Sequence, residues 1–238
     1  MGEIFVTADT HIDHYNIVLH AKRDQFIYEN PNFDPSKPIQ LKRNYPYKVN
    51  LESHNEYIVE KWNNVASKRD QIWILGDFAW RNHARWIHRL NGKKYLIRGN
   101  HDKMPQEAYR LFQQIEGSHY QYSYYTKIKG QHVMLSHCPY YTWFSSCHGS
   151  WNLYGHCHGR KEEVPWILSF DCGWDAWGGL IPWDIIVSKM KDKEQIRASR
   201  NMSDENRIEE SESEMNFQKN VQLNSRYMNG ETNLVDLY

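Results

Sequence analysis

The chain has 238 residues, the span of one large domain or two small ones, and with 40% hydrophobic and 24% charged residues it can bury a core. Lys and Arg number 29, equal to Asp and Glu, so the chain is formally neutral. That argues against a protein living on long phosphate backbones, which needs a clear basic excess. No apolar run approaches the ~20 residues of a membrane span. The start lacks the basic leader of a secreted chain, and Val6 stands where a myristoylation signal following Gly2 would carry Ser or Thr, so the expected location is cytoplasmic. Cys138, Cys147, Cys157 and Cys172 follow no framework spacing and read as reduced thiols.

In chain order, apolar runs at residues 4–8, 71–75, 94–97, 132–135, 153–154, 167–170 and 184–188 predict buried strands. Between them, Leu51, Ile58, Trp62 and Val65 share one face of a helix expected over residues 51–67. Ala108, Leu111, Phe112 and Ile115 repeat that spacing after Pro105, a residue suited to a first helical turn. Strand and helix in alternation predict an α/β fold, with part of the sheet antiparallel where only loops separate the later strands. Residues 20–49 carry Pro31, Pro35, Pro38 and Pro46 and read as a functional flap able to cover a site or as a disordered segment. From Asp192 to Tyr238 ten acids face six bases, and the run from Glu209 to Glu214 is dominated by Glu and Ser. Residues 192–238 therefore read as a polar, acidic tail appended to a domain over residues 1–191, with Leu234, Val235 and Leu237 able to dock back. The domain is left net +4.

The polar residues just past each strand carry the functional signal. Residues 4–8 lead to Asp9 and His11, residues 71–75 to Gly76-Asp77, and residues 94–97 to Arg98-Gly99-Asn100-His101-Asp102. Residues 132–135 lead to Ser136-His137, and 153–154 to Gly155-His156-Cys157-His158. Side chains just beyond the carboxyl ends of strands in an α/β sheet collect in one crevice, so these five tips converge. Of these, two Asp, one Asn and four His already exceed what one ion needs and suffice for two ions sharing a carboxylate. Imidazole mixed with carboxylate suits Mn²⁺ first, with Fe, Zn²⁺ or Ni²⁺ as alternatives, rather than Mg²⁺ alone.

The order Asp9-Thr10-His11, Gly76-Asp77, Gly99-Asn100-His101-Asp102, His137, Gly155-His156-Cys157-His158 resembles the calcineurin-like metallophosphoesterases, closest to their small stand-alone bacterial and phage-type members. The resemblance covers residues 2–191. It implies a two-sheet β-sandwich flanked by helices, with a dimetal site at the strand ends. It further implies that Asp9, His11, Asp77 and His158 hold one ion and that Asp77, Asn100, His137 and His156 hold the other, Asp77 bridging. His101 then faces the substrate as the catalytic residue. Many relatives place an Asp behind that histidine where this chain has Trp80, so Asp102 or a water becomes the candidate to orient His101. Two cations ~3.5–4 Å apart acidify a shared water and draw a phosphoryl group into line. His101 as a general acid adds roughly 10²–10⁴ in rate.

The expected activity is hydrolysis of a small anionic phosphoester, such as a nucleotide, by a phosphodiesterase or phosphatase. No membrane or nonspecific nucleic-acid partner is expected. His14, Arg81, Tyr140 and Tyr141 are the substrate-contact candidates, the two tyrosines with Trp143 and Phe144 as an aromatic cluster that can stack a flat group. Arg98, His54, Cys138 and Cys157 read as structural. Asp9-Thr10-His11-Ile12-Asp13-His14 also resembles the metal motif of metallo-β-lactamase-type hydrolases, but that family does not carry the later motifs in this order. A scaffold that has lost its metal ligands is the non-enzymatic alternative.

Overall fold

The computed structural model describes residues 2–116 and 122–201. The expected acidic run and the apolar residues of the tail lie outside the described residues. The chain divides after Lys193 into two units, and the first holds every element except the last turns of the final helix.

The elements in chain order are β1 (Ile4–Thr7), α1 (Tyr15–His20), a 3₁₀ turn (Asp24–Phe26), β2 (Ile27–Glu29), β3 (Tyr47–Val49) and α2 (Leu51–Val65). There follow β4 (Gln71–Leu75), α3 (His83–Arg89), β5 (Lys93–Ile97), α4 (Gln106–Tyr109), β6 (Gln114–Glu116), β7 (Ser123–Ile128) and β8 (Gln131–Ser136). A 3₁₀ turn (Ser146–His148), β9 (Trp151–Tyr154), β10 (Ser169–Asp171), α5 (Trp174–Trp177), β11 (Ile181–Pro182) and α6 (Trp183–Asn201) complete them. One sheet runs β11-β1-β4-β5-β6, a second β10-β9-β8-β7, and β2 and β3 form a small ribbon. In the first sheet β1, β4, β5 and β6 are parallel and only β11 is antiparallel. In the second, β8, β9 and β10 are parallel and β7 is antiparallel.

Period-two alternation sorts the first sheet's side chains onto two faces. Phe5, Ile72, Ile74 and Leu96 join Ile58, Val59 and Trp62 of α2 and Trp86 and Ile87 of α3 in one core. Val6, Trp73, Leu75 and Ile97 meet Val133, Leu135, Trp151, Leu153 and Phe170 of the second sheet in another. The result is the expected pair of mixed sheets with helices on the outside. α2 starts where the sequence places it, because Asn50 caps it by accepting the Ser53 N–H at 3.0 Å.

Three sequence expectations are corrected. Residues 184–188 are helix, part of α6. The β-branched run Ile185-Ile186-Val187 suggests a strand, yet Trp183, Ile186 and Met190 form a buried stripe at helical spacing while Ile185 is exposed. The helix after Pro105 is a single turn, α4, and Ile115 belongs to β6, which pairs with β5. Backbone pairing along the β5 edge outweighs a short helix that would be marginal alone. The proline-containing segment is not a disordered stretch: its two ends pair as β2 and β3, and Phe26 and Val49 pack on Val18. α3 and β7 escaped the sequence reading. β7 turns into β8 through Lys129 and Gly130, both at positive φ, the conformation a two-residue hairpin requires.

Candidate functional site

The loops after β1 and β4 remain hydrogen-bonded beyond the strands, with Asp9 N–H donating to Gly76 O at 3.0 Å and His11 N–H to Asp77 O at 2.9 Å. Asp9, His11, Asp77, His156 and His158 all have positive φ, between 47° and 73°. A side chain in the left-handed region is strained, and a run of such residues persists only where the surroundings force it. Glycines make room around them. A Cβ on Gly76 would stand 2.3 Å from His137 Nδ1, one on Gly99 2.3 Å from Asp77 Oδ1, and one on Gly155 2.7 Å from Asp9 Oδ2.

The sequence-predicted ligands gather in three overlapping sets whose donor atoms lie within 4.8 Å of one another: Asp9, His11 and His158; Asp9, Asp77 and His137; and His137, Cys138 and His156. Asn100 joins the last set, its Oδ1 2.7 Å from His137 Nε2. Cys138, read as a packing residue, therefore has its thiol beside two of these histidines. His137 Nδ1–H donates to Leu75 O at 2.9 Å, which turns Nε2 toward the cluster. Nε2 lies against Asn100 Oδ1, His156 Nδ1 at 3.2 Å and Asp77 Oδ2 at 3.5 Å. Asp77 Oδ2 is also 3.5 Å from His11 Nε2.

Two of these atoms, Asp9 Oδ1 and His11 Nε2, are buried with no hydrogen-bond partner among the described residues. Unpaired buried acceptors are costly unless something positive meets them. Burial pushes the Asp9 carboxyl up to about 7. Burial also opposes ionisation of Asp77, but the hydrogen bond and charge of His137 outweigh it and hold Asp77 well below the usual carboxylate range. Burial lowers His137, yet the hydrogen bond and charge of Asp77 lift it to about 9. Burial holds His11 far below its ordinary value. Carboxylates and imidazoles crowded this way fit divalent cations, and the orphaned atoms are where the sequence places ligands.

His101 stands at the edge of this cluster, its N–H donating to Asp77 Oδ1 at 2.8 Å. Its ring is surrounded by those of His11 at 5.7 Å, His14 at 5.5 Å and Trp80 at 5.5 Å. Asp102 does not orient it. The Asp102 carboxylate accepts from the backbone N–H groups of Asp77 at 2.8 Å, Phe78 at 2.9 Å and Gly99 at 2.7 Å, so it ties the β4 loop to the β5 loop. His14 Nδ1 lies 3.1 Å from His11 Nδ1, and burial first, then the charge of His101, lowers His14 to about 4. Arg81, Tyr140 and Tyr141 are exposed. Trp143 is buried, its Nε1–H donating to Ser150 Oγ at 3.0 Å, and Phe144 packs edge-on to Tyr125 at 4.8 Å. The aromatic cluster is thus divided between core and surface. Arg98 is structural, its guanidinium 5.0 Å above the Tyr109 ring.

The sequence reading missed Arg23 and Asp175. Asp175 Oδ2 accepts from His158 Nδ1 at 2.6 Å, and Arg23 grips Asp175 through Nε at 2.8 Å and Nη2 at 3.0 Å. Arg23 also donates to Asp9 O at 2.8 Å and Thr10 O at 3.0 Å, and its Nη1 lies 2.6 Å from His54 Nε2. Burial, with the Arg23 charge, lowers His54 to about 4, consistent with a neutral ring that accepts from Arg23 and donates to Asn55. Asp13, bonded to Asn55, Asn82 and Trp86, pins the same loop from the other side. No motif marks these residues, since they are distant in sequence and act through the ligands.

Over residues 2–214 the chain matches the model of the calcineurin-like phosphoesterase family. It belongs to that family. Among curated relatives, an uncharacterized protein of Methanocaldococcus jannaschii is 28% identical over 70% of this chain and 76% of its own length. The gene 66 protein of Mycobacterium phage D29 is 27% identical over 60% of this chain and 85% of its own. A crystal structure of a protein of unknown function from Aquifex aeolicus shares the fold, with a TM-score of 0.54 and 18% identity over 79% of this chain and 99% of that one. Among the described residues of this family member, no helix is long and apolar enough to cross a membrane.

Proposed function

We propose that the protein hydrolyses a small anionic phosphoester, with a nucleotide as the leading substrate class, using two divalent cations. Asp9, His11, Asp77 and His158 would hold one cation, and Asp77, Asn100, His137 and His156 the other. The observation that carries this reading is Asp77 Oδ2, equidistant at 3.5 Å from His11 Nε2 and His137 Nε2 and so placed to bridge two sets of acceptors. When bound, the cations supply an activated water at neutral pH and neutralise phosphoryl oxygens. Mn²⁺ is the first candidate, because the donors mix imidazole with carboxylate.

The chain's own residues do the rest. Leu75 O fixes the tautomer of His137, and Asp175, clamped by Arg23, fixes that of His158, so each ring presents a defined nitrogen. Asp102 holds the backbone that carries Asp77. His101, whose backbone is anchored on Asp77, is half-buried at the edge of the site and would donate a proton to the departing ester oxygen. The net +4 of residues 1–191 favours an anion.

The test combines metal analysis with an assay panel in Mn²⁺: an aryl monoester, an aryl diester, and cyclic and linear nucleotides. Two ions per chain with metal-dependent hydrolysis is the expected result. Two bound ions without turnover of any ester would overturn the enzymatic reading, and no bound metal would favour a scaffold.

A further inference from the structure

Trp80 is an aromatic residue with an unusual placement for this site. Its backbone is fixed, its N–H donating to Ile12 O at 2.8 Å beside the bridge between Ile12 and Ala79. Its ring lies on His14 at 4.3 Å with only 7° between the planes, and meets His101 at 5.5 Å. His14 is in turn held by His11 at 3.1 Å, so the stacked pair is built on the metal-site loop. Even so, 42% of Trp80 remains exposed. Leaving a large ring in water beside a polar site is unfavourable unless something covers it.

We infer that the Trp80–His14 stack is a platform for a planar aromatic group on the substrate, such as a nucleobase, positioned on the side where His101 faces the leaving oxygen. This deepens the proposed function and rests on it. The sequence reading assigns stacking to Tyr140 and Tyr141, but the rings found against His101 are those of His11, His14 and Trp80. Trp80 is thereby a specificity-determining residue: it selects esters by their flat organic part, while the polar cluster binds the phosphoryl end common to all.

Calorimetric titration of the manganese-loaded protein with adenosine 5′-methylenephosphonate and with methylphosphonate tests this without any turnover, because neither ligand can be hydrolysed. The wild type should prefer the adenosine ligand, and Trp80→Ala should lose about tenfold of that preference, the value of one stacked base. Trp80→Phe, which keeps a ring, should retain most of it. Circular dichroism of the Ala variant checks that the fold is kept. A preference that survives in Trp80→Ala, equal loss for both ligands, or no preference in the wild type would each overturn the platform. Failure of the hydrolase reading shows separately, as absent turnover in the assay panel with the binding preference intact.

Discussion

Asp77 does more than any other side chain here, since one of its oxygens faces both histidine sets and the other accepts the His101 N–H. Replacing it with Asn keeps the shape but removes the charge between the two proposed cation positions. Asp77→Asn should therefore bind fewer than two ions per chain by plasma emission analysis, and a full complement would refute the bridge. His101→Ala should keep the metal and lose roughly 10²–10⁴ in kcat on an ester with a poor leaving group, and much less on a nitrophenyl ester that needs no proton. Equal losses on both would argue against proton donation. Gly76→Ala places a Cβ 2.3 Å from His137 Nδ1 at a φ of +90°, so it should cost about 1–3 kcal/mol of stability in denaturant titrations and weaken metal binding.

Between elements, Arg23 links the segment after α1 to the loop after β1 and to α5. Its fork satisfies two backbone carbonyls, a histidine and a carboxylate at once. Lysine offers a point charge and cannot reproduce that geometry. Asp175→Asn should reduce metal affinity about 10–100-fold while leaving the ligands in place, as loss of an outer partner does in other metal sites. Arg23→Lys should lower thermal stability as well, because it takes the two-pronged partner from the half-buried Asp175 carboxylate and leaves it His158 alone. A Lys variant with wild-type melting and metal affinity would show the clamp to be dispensable. The same scale accounts for the misread elements. β6 exists because β5 offers it an edge, and residues 184–188 are helical because their stripe continues to Met190, neither of which is visible in a five-residue window.

For the whole molecule, the cluster couples stability to pH and metal. Burial raises Asp9 to about 7, so the ion-free fold binds its proton more tightly than the unfolded chain does. As pH rises from the ordinary carboxylate value toward 7, the unfolded state has already released that proton and the ion-free fold loses stability. A cation removes this penalty, since bound metal takes the place of the proton. The rise in melting temperature on adding Mn²⁺ should therefore grow between about pH 5 and pH 8, measured by calorimetry. A shift that is flat or shrinks with pH would contradict the role of Asp9.

The polar residues at strand ends, their order and the family they mark were legible in the sequence, because a chain that builds an α/β sheet must deliver those tips to one edge. Short apolar runs likewise marked β1, β4, β5 and β8, and helical spacing marked the long helix α2. What the sequence left open was decided by contacts between distant segments. Trp80 beside His101, Asp102 turned to backbone, and Arg23 clamping Asp175 carry no local pattern. Each depends on where separate loops come to rest against one another.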